Sequence, residues 1–182
     1  MGNCRLLVIW VNRSAIFLLC LFWFKAANCS VTFANTYAPK PLTVYVFLNT
    51  ECPISQQYVR RLSVLSRQYA LSVRFVALFP AKTDTPRLIQ AFGKAYGLTF
   101  PGRPDAGAKL ARQLRARVTP EVVVLDTTGR IRYRGAIDDW YVALGKHRSE
   151  ATEPYLLNAL NALMAGNEVT VRETEAVGCL IE

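Results

Sequence analysis

Leu42-Thr43-Val44-Tyr45-Val46-Phe47-Leu48 is an unbroken run of β-branched, aromatic and aliphatic residues, and a helical pattern starts almost at once after it, at Pro53. From there Ile54, Tyr58, Leu62, Leu65 and Tyr69 recur at steps of four, four, three and four, which is one face of an amphipathic helix. Gln56, Gln57, Arg60, Arg61 and Arg67 take the other face. Val73 to Phe79 is a second buried-strand run, stopped by Pro80. A strand, a helix and a strand in close succession predict a βαβ unit and restrict the chain to sheet folds carrying helices on their faces.

The remaining pattern extends that architecture. Thr85-Pro86 opens a second helix that runs to about Tyr96, and Gly97 is placed as its C-cap. Residues 98–105 read as a Pro/Gly-rich loop, and Gly107 to Arg117 as a short basic helix. Glu121 to Asp126 is another buried strand. Thr127-Thr128-Gly129 is a turn, with Asp126 and Gly129 forming it, and Arg130 to Gly135 alternates like a half-exposed strand. Asp138 to Ser149 reads as polar loop. Thr152 is positioned to cap a last helix carrying Tyr155, Leu156, Leu160 and Leu163 on one side, with Gly166 beyond its end. Hydrophobic residues make up 52% of the chain and charged ones 19%, so a packed core is feasible. The expected fold class is α/β: a mixed sheet flanked by helices.

The first 29 residues have a different character. Arg5 and Arg13 precede the apolar run Ser14 to Phe24, small residues follow at Ala26-Ala27, and no acid occurs in the segment. That is the layout of a secretory signal, and the run is shorter than the ~20 apolar residues of an ordinary spanning helix. Residues 1–29 are therefore expected to be a signal peptide or a membrane anchor, and residues 30–41 a Pro-bearing linker. The chain is expected to be exported, to the periplasm or cell envelope, with the N-terminus as its membrane attachment if uncleaved. Without the leader, 19 of the 22 basic residues remain against 13 acidic ones. The excess is scattered and does not interleave with aromatics, so nucleic acid is not an expected partner.

Cys4, Cys20 and Cys29 fall in the leader or at its edge, which leaves Cys52 and Cys179. Cys52 sits between a strand and a helix, and Pro53 takes the first helical position, where a missing N–H costs nothing. A sulfur there faces free backbone N–H groups and the positive end of the helix dipole, both of which favour thiolate. Ser55 can turn its hydroxyl to the same sulfur, while the Glu51 carboxylate opposes a second negative charge.

Cys52-Pro53-Ile54-Ser55 after a strand, then Thr119-Pro120 before the strand Val122-Val123-Val124, then Asp126 and Gly129 and a short strand, resembles the thioredoxin superfamily. Within it the pattern is similar to the exported redoxin branch, related to the alkyl-hydroperoxide-reductase/thiol-specific-antioxidant and thiol–disulfide interchange proteins. The resemblance covers about Leu42 to Met164, so residues 42–166 form the expected domain and 167–182 a tail carrying Cys179. It implies that Pro120 is cis and lies beside Cys52, and that Pro53, Thr119 and Pro120 shape a substrate groove in which Thr119 pairs with an extended segment. Two departures matter. Ser55 stands where the dithiol motif has its second Cys, and Tyr45 and Asn49 stand where the peroxidase signature has Pro and Thr/Ser. Monothiol chemistry through Cys52 remains: mixed disulfides, or a sulfenic acid in an antioxidant reduction.

The Gly178-Cys179-x-Ile181 ending also resembles the end of redoxin-domain proteins with this motif. Cys179 is then a resolving thiol for Cys52, a permanent staple of the tail, or unpaired. The expected function is an extracytoplasmic thiol oxidoreductase whose partners are protein or small-molecule thiols and disulfides and a thiol reductant. No cofactor is implied, since no phosphate-binding Gly-rich loop is present. The alternatives are a Cu(I)-binding thioredoxin-fold chaperone using Cys52, Cys179 and the lone His147, or a non-catalytic adaptor of the same fold.

Overall fold

In the computed structural model, which describes residues 42–182, strands β1 (Leu42–Phe47) and β2 (Val73–Phe79) lie side by side and parallel, in register Leu42 with Val73 through Phe47 with Leu78. Helix α1 (Pro53–Gln68) crosses between them, completing the βαβ unit. The segment expected to be leader and linker, with Cys4, Cys20 and Cys29, lies outside the described residues. Helix α2 (Pro86–Tyr96) leads to a short strand β3 (Gly102–Pro104), which pairs parallel to β2. A 3-10 turn (Ala106–Ala108) and helix α3 (Lys109–Leu114) follow. Strand β4 (Val118–Thr119) precedes β5 (Glu121–Leu125), which runs antiparallel to β1, and β6 (Ile131–Gly135) folds back antiparallel on β5. The main sheet has the order β3-β2-β1-β5-β6.

The two faces of this mixed sheet are buried by different helices. Val44, Val46, Phe75 and Val122 pack with Ile54, Val59 and Leu62 of α1, Ile89 and Phe92 of α2, and Leu156 and Leu160 of helix α4 (Tyr155–Met164). Phe47, Val76, Leu78 and Val123, which alternate with the first set, meet Ala111 and Leu114 of α3. Both faces being dry explains why β1, β2 and β5 read as continuous apolar runs instead of alternating ones. Among the described residues no helix is long and apolar enough to cross a membrane.

Several local expectations need correction. The Pro/Gly-rich loop contains β3. The basic helix expected over Gly107–Arg117 is interrupted, because Gly107 and Ala108 have positive φ (66° and 51°) and Arg115 ends it at φ 60°. The start of α3 is held by the buried Asp105 carboxylate, which accepts the N–H groups of Leu110 and Ala111. The polar stretch after Asp138 contains a hairpin, β7 (Tyr141–Ala143) with β8 (Lys146–His147). Thr152 does not cap α4: its N–H and hydroxyl both donate to Asp139, 2.7 Å away in each case, and Pro154 occupies the cap position.

The tail is packed on the domain at two places. At the first, Thr174 N–H donates to the Arg134 carbonyl, and the Thr174 hydroxyl lies 2.6 Å from the buried Tyr133 hydroxyl and accepts from Ala136 N–H at 2.9 Å. Gly135, at φ 137°, permits this approach, since a Cβ there would sit 2.2 Å from the Thr174 carbonyl oxygen. At the second, β9 (Cys179–Leu180) pairs antiparallel with β4, Thr119 opposite Cys179 and Val118 opposite Leu180.

Candidate active site

The turn between β1 and α1 is tied down before it reaches the cysteine. Asn49 accepts Glu51 N–H on its side-chain oxygen and Cys52 N–H on its carbonyl, at 2.8 and 3.2 Å. Asp84 Oδ1 accepts both the N–H and the hydroxyl of Thr50. Gln56 Nε2 reaches back to the Thr50 carbonyl. Cys52 is then the extended N-cap of α1, its carbonyl taking Gln56 N–H, with Pro53 in the first turn and no acidic residue there. This delivers its sulfur to the helix N-terminus, where unpaired N–H groups point.

The cysteine is nearly covered, with 2% of its surface exposed. Its Sγ lies 3.2 Å from the Thr119 carbonyl oxygen, to which the thiol form donates. The Thr119–Pro120 peptide is cis. β4 is held in place by Glu121, a buried carboxylate that accepts Arg117 and Val118 N–H at 2.6 and 3.1 Å. From the tail, Cys179 comes down beside these residues, with its Sγ 2.7 Å from Cys52 Sγ. Both cysteines are thiols in this structure. A disulfide needs about 2.05 Å between sulfurs, so closing the pair takes a movement of well under 1 Å.

The electrostatics separate the two thiols. Burial is the largest influence on Cys52 and opposes its thiolate. Hydrogen bonds from the Cys179 thiol, from the N–H and hydroxyl of Ser55, and from Cys179 N–H together outweigh it and hold Cys52 below its ordinary value. Burial also pushes Cys179 up, and the hydrogen bond to Cys52 and the negative charge there add to it, to about 12. The surroundings thus push the two thiols in opposite directions, Cys52 down and Cys179 up.

Of the residues singled out in the sequence, Cys52, Pro53, Ser55, Thr119, Pro120 and Cys179 thus meet in one place. His147 does not join them as a ligand. Its ring packs on Trp140 and Tyr141, and Nδ1 lies 2.8 Å from the Arg148 carbonyl. Among the described residues no three His, Cys, Asp or Glu side chains are grouped to hold a metal ion, so the Cu(I) set is not assembled. Asp138 and Asp139 part company, as adjacent residues do. Asp138, buried, accepts from Tyr58, Arg61 and Trp140, while Asp139 binds the segment at Thr152.

One contributor carried no sequence signal, and a second was marked only by the Gly178-Cys179-x-Ile181 ending. Asp84 is buried behind the Cys52 turn. Its Oδ2 has no partner among the described residues, and burial, with the Glu51 charge adding to it against the Thr50 hydrogen bonds, raises its pKa. Gly178 passes so close to Thr119 that a Cβ would sit 2.2 Å from the Thr119 carbonyl oxygen.

No protein-family model and no curated protein matches the chain. Solved structures do. A hypothetical protein from Sinorhizobium meliloti is 27% identical with a TM-score of 0.69, over 79% of this chain and 80% of that one. An uncharacterized conserved protein from Geobacillus kaustophilus is 25% identical with a TM-score of 0.68, over 78% and 77%. A thioredoxin-like protein solved in its oxidized form is 18% identical with a TM-score of 0.53, over 70% and 80%. The fold is thioredoxin-like.

Proposed function

We propose that this protein is a thiol–disulfide oxidoreductase in which Cys52 attacks and Cys179 resolves. The observation that carries the reading is the 2.7 Å approach of the two sulfurs. The Cys52 thiolate attacks a substrate disulfide, forms a mixed disulfide and expels one substrate thiolate. Cys52 has then lost its charge, which removes two of the influences holding the Cys179 proton. Cys179 gives up that proton, attacks Cys52 Sγ and releases the second substrate thiolate. The dithiol has passed two electrons to the substrate, and an external thiol reductant resets the pair by the reverse exchange. The leader pattern of residues 1–29 supports action outside the cytoplasm, in the periplasm or cell envelope.

The test is to trap the intermediate. With a small aromatic disulfide, the natural chain should release two thiolates and end with Cys52 joined to Cys179, located by mass spectrometry of the digested, unreduced protein. Cys179→Ser should release one and keep the substrate half on Cys52. A Cys179→Ser chain that turns over like the natural one would remove Cys179 from the mechanism.

A further inference from the structure

The edge of β4 next to the reactive cysteine already has a strand on it, and that strand is the chain's own end. Thr119 pairs with Cys179 and Val118 with Leu180, Ile181 N–H donates to the Arg117 carbonyl at 3.0 Å, and the Thr119 hydroxyl lies 3.4 Å from the Cys179 carbonyl. The segment lies extended against Thr119 with its own sulfur on Cys52 Sγ. That is the placement an attacked polypeptide cysteine requires: backbone held by strand addition, sulfur at the nucleophile.

The side chains of the segment divide by position. Val177 and Cys179 pack against the core on one face of the sheet, and Ile181 against the core on the other. Leu180 is 80% exposed and touches little. Gly178 is the position with no tolerance, because a Cβ there would lie 2.2 Å from the Thr119 carbonyl oxygen and 2.6 Å from its carbon. Those are backbone atoms, so no side-chain rotation relieves the overlap.

We propose that Val177-Gly178-Cys179-Leu180-Ile181 is a tethered copy of what the site accepts: an extended polypeptide with glycine directly before its cysteine and apolar residues two positions to either side. The tail holds the site until a segment of the same pattern displaces it. This rests on Cys52 being the exchange nucleophile, and it adds a substrate class and a built-in competitor to that reading. In the exchange, a peptide thiolate attacks a Cys52–glutathione mixed disulfide, forms the Cys52–peptide disulfide and expels glutathione thiolate, with no net oxidation.

The experiment uses full-length Cys179→Ser and the double variant Gly178→Ala/Cys179→Ser, each first converted to the glutathione mixed disulfide. Two capped peptides, Val-Gly-Cys-Leu-Ile and Val-Ala-Cys-Leu-Ile, are added in turn, and the Cys52-bearing fragment is quantified by mass spectrometry. The glycine peptide should accumulate about tenfold or more over the alanine peptide in both variants, an overpacking clash being the discriminator. Both peptides should accumulate several-fold more in the double variant, whose tail no longer seats. Equal yields of the two peptides, with the glutathione adduct formed normally, would overturn the proposal and leave the oxidoreductase reading standing. Failure of Cys52 to form even the glutathione adduct would instead overturn that reading. The glycine-to-alanine ratio in Cys179→Ser decides the matter alone if the double variant does not fold.

Discussion

Ser55 stands three residues after Cys52, and its N–H and hydroxyl are among the influences that lower the Cys52 pKa. It also accepts Asn49 N–H at 3.3 Å, so the hydroxyl fixes the turn as well as the charge. Ser55→Ala keeps the backbone donor and loses the other. Alkylation of Cys52 by iodoacetamide at pH 7 should then slow by about three- to tenfold, the worth of one ordinary intramolecular hydrogen bond of roughly 1 kcal/mol. A rate unchanged from the natural chain would mean the hydroxyl does not stabilise the thiolate. The two cysteines should also titrate far apart in the reduced protein. Cys52 is held below the ordinary thiol value and Cys179 is pushed up to about 12. Absorbance near 240 nm should show one thiolate for this pair between pH 5 and 10, and Cys52→Ser should abolish that step and bring Cys179 down, because the charge opposing its ionisation is gone. Two equal steps near the usual value would contradict the division of labour between the thiols.

Elements with their own periodicity were legible in the sequence. β1, α1, β2 and α2 fall where their apolar spacing puts them, Gly97 at φ 75° ends α2 as the pattern predicts, and Asp126 with Gly129 makes the β5–β6 turn. What escaped depends on partners distant in sequence or on rings stacked locally. β7 and β8 are three and two residues long and are backed by contacts among Trp140, Tyr141 and His147. β9 is a two-residue strand whose partner lies 60 positions earlier, so no local pattern announces it. The same limit applied to the site: Cys52 and Ser55 were marked by the helix start they share, whereas Cys179 was marked only by the Gly178-Cys179-x-Ile181 ending, which left its pairing open. Asp139 gives a test at this scale. It gathers Thr152 N–H, the Thr152 hydroxyl, Glu153 N–H and Arg148, which fix the path from the β7–β8 hairpin to α4. Glu153 N–H and the Thr152 hydroxyl lead in holding its carboxyl down to about 2. A carboxyl depressed on folding stabilises the fold fully above its unfolded value of about 4, and that contribution fades as pH falls from 4 towards 2. Asp139→Ala should lose about 1–2 kcal/mol at pH 7, seen as a lower urea midpoint, and the difference from the natural chain should shrink below pH 3. A gap that stays constant with pH would assign the loss to packing.

At the scale of the described domain, the Cys52–Cys179 bond would join the start of α1 to the tail, positions 127 apart. Every element between them would lie inside the closed loop. Cross-linking so long a loop removes much of the freedom of the unfolded chain, on the order of 5 kcal/mol at the ceiling of the chain-entropy estimate, and about 2–4 in usual practice. The folded state gives up little in return, since β9 already holds the two sulfurs within 2.7 Å. Oxidised protein should therefore melt about 5–15 °C above the reduced form, at roughly 2–4 °C per kcal/mol for a chain of this size. Cys179→Ser should melt near the reduced protein whether or not oxidant is present. The same stabilisation works against the reductant, because the free energy that raises the melting point must be supplied each time the bond is opened. An oxidised form that melts no higher would mean that the bond is strained or the tail displaced when it forms, and would place the disulfide among easily reduced ones. A large rise would identify the disulfide as the resting state, one that only a strongly reducing thiol partner can open.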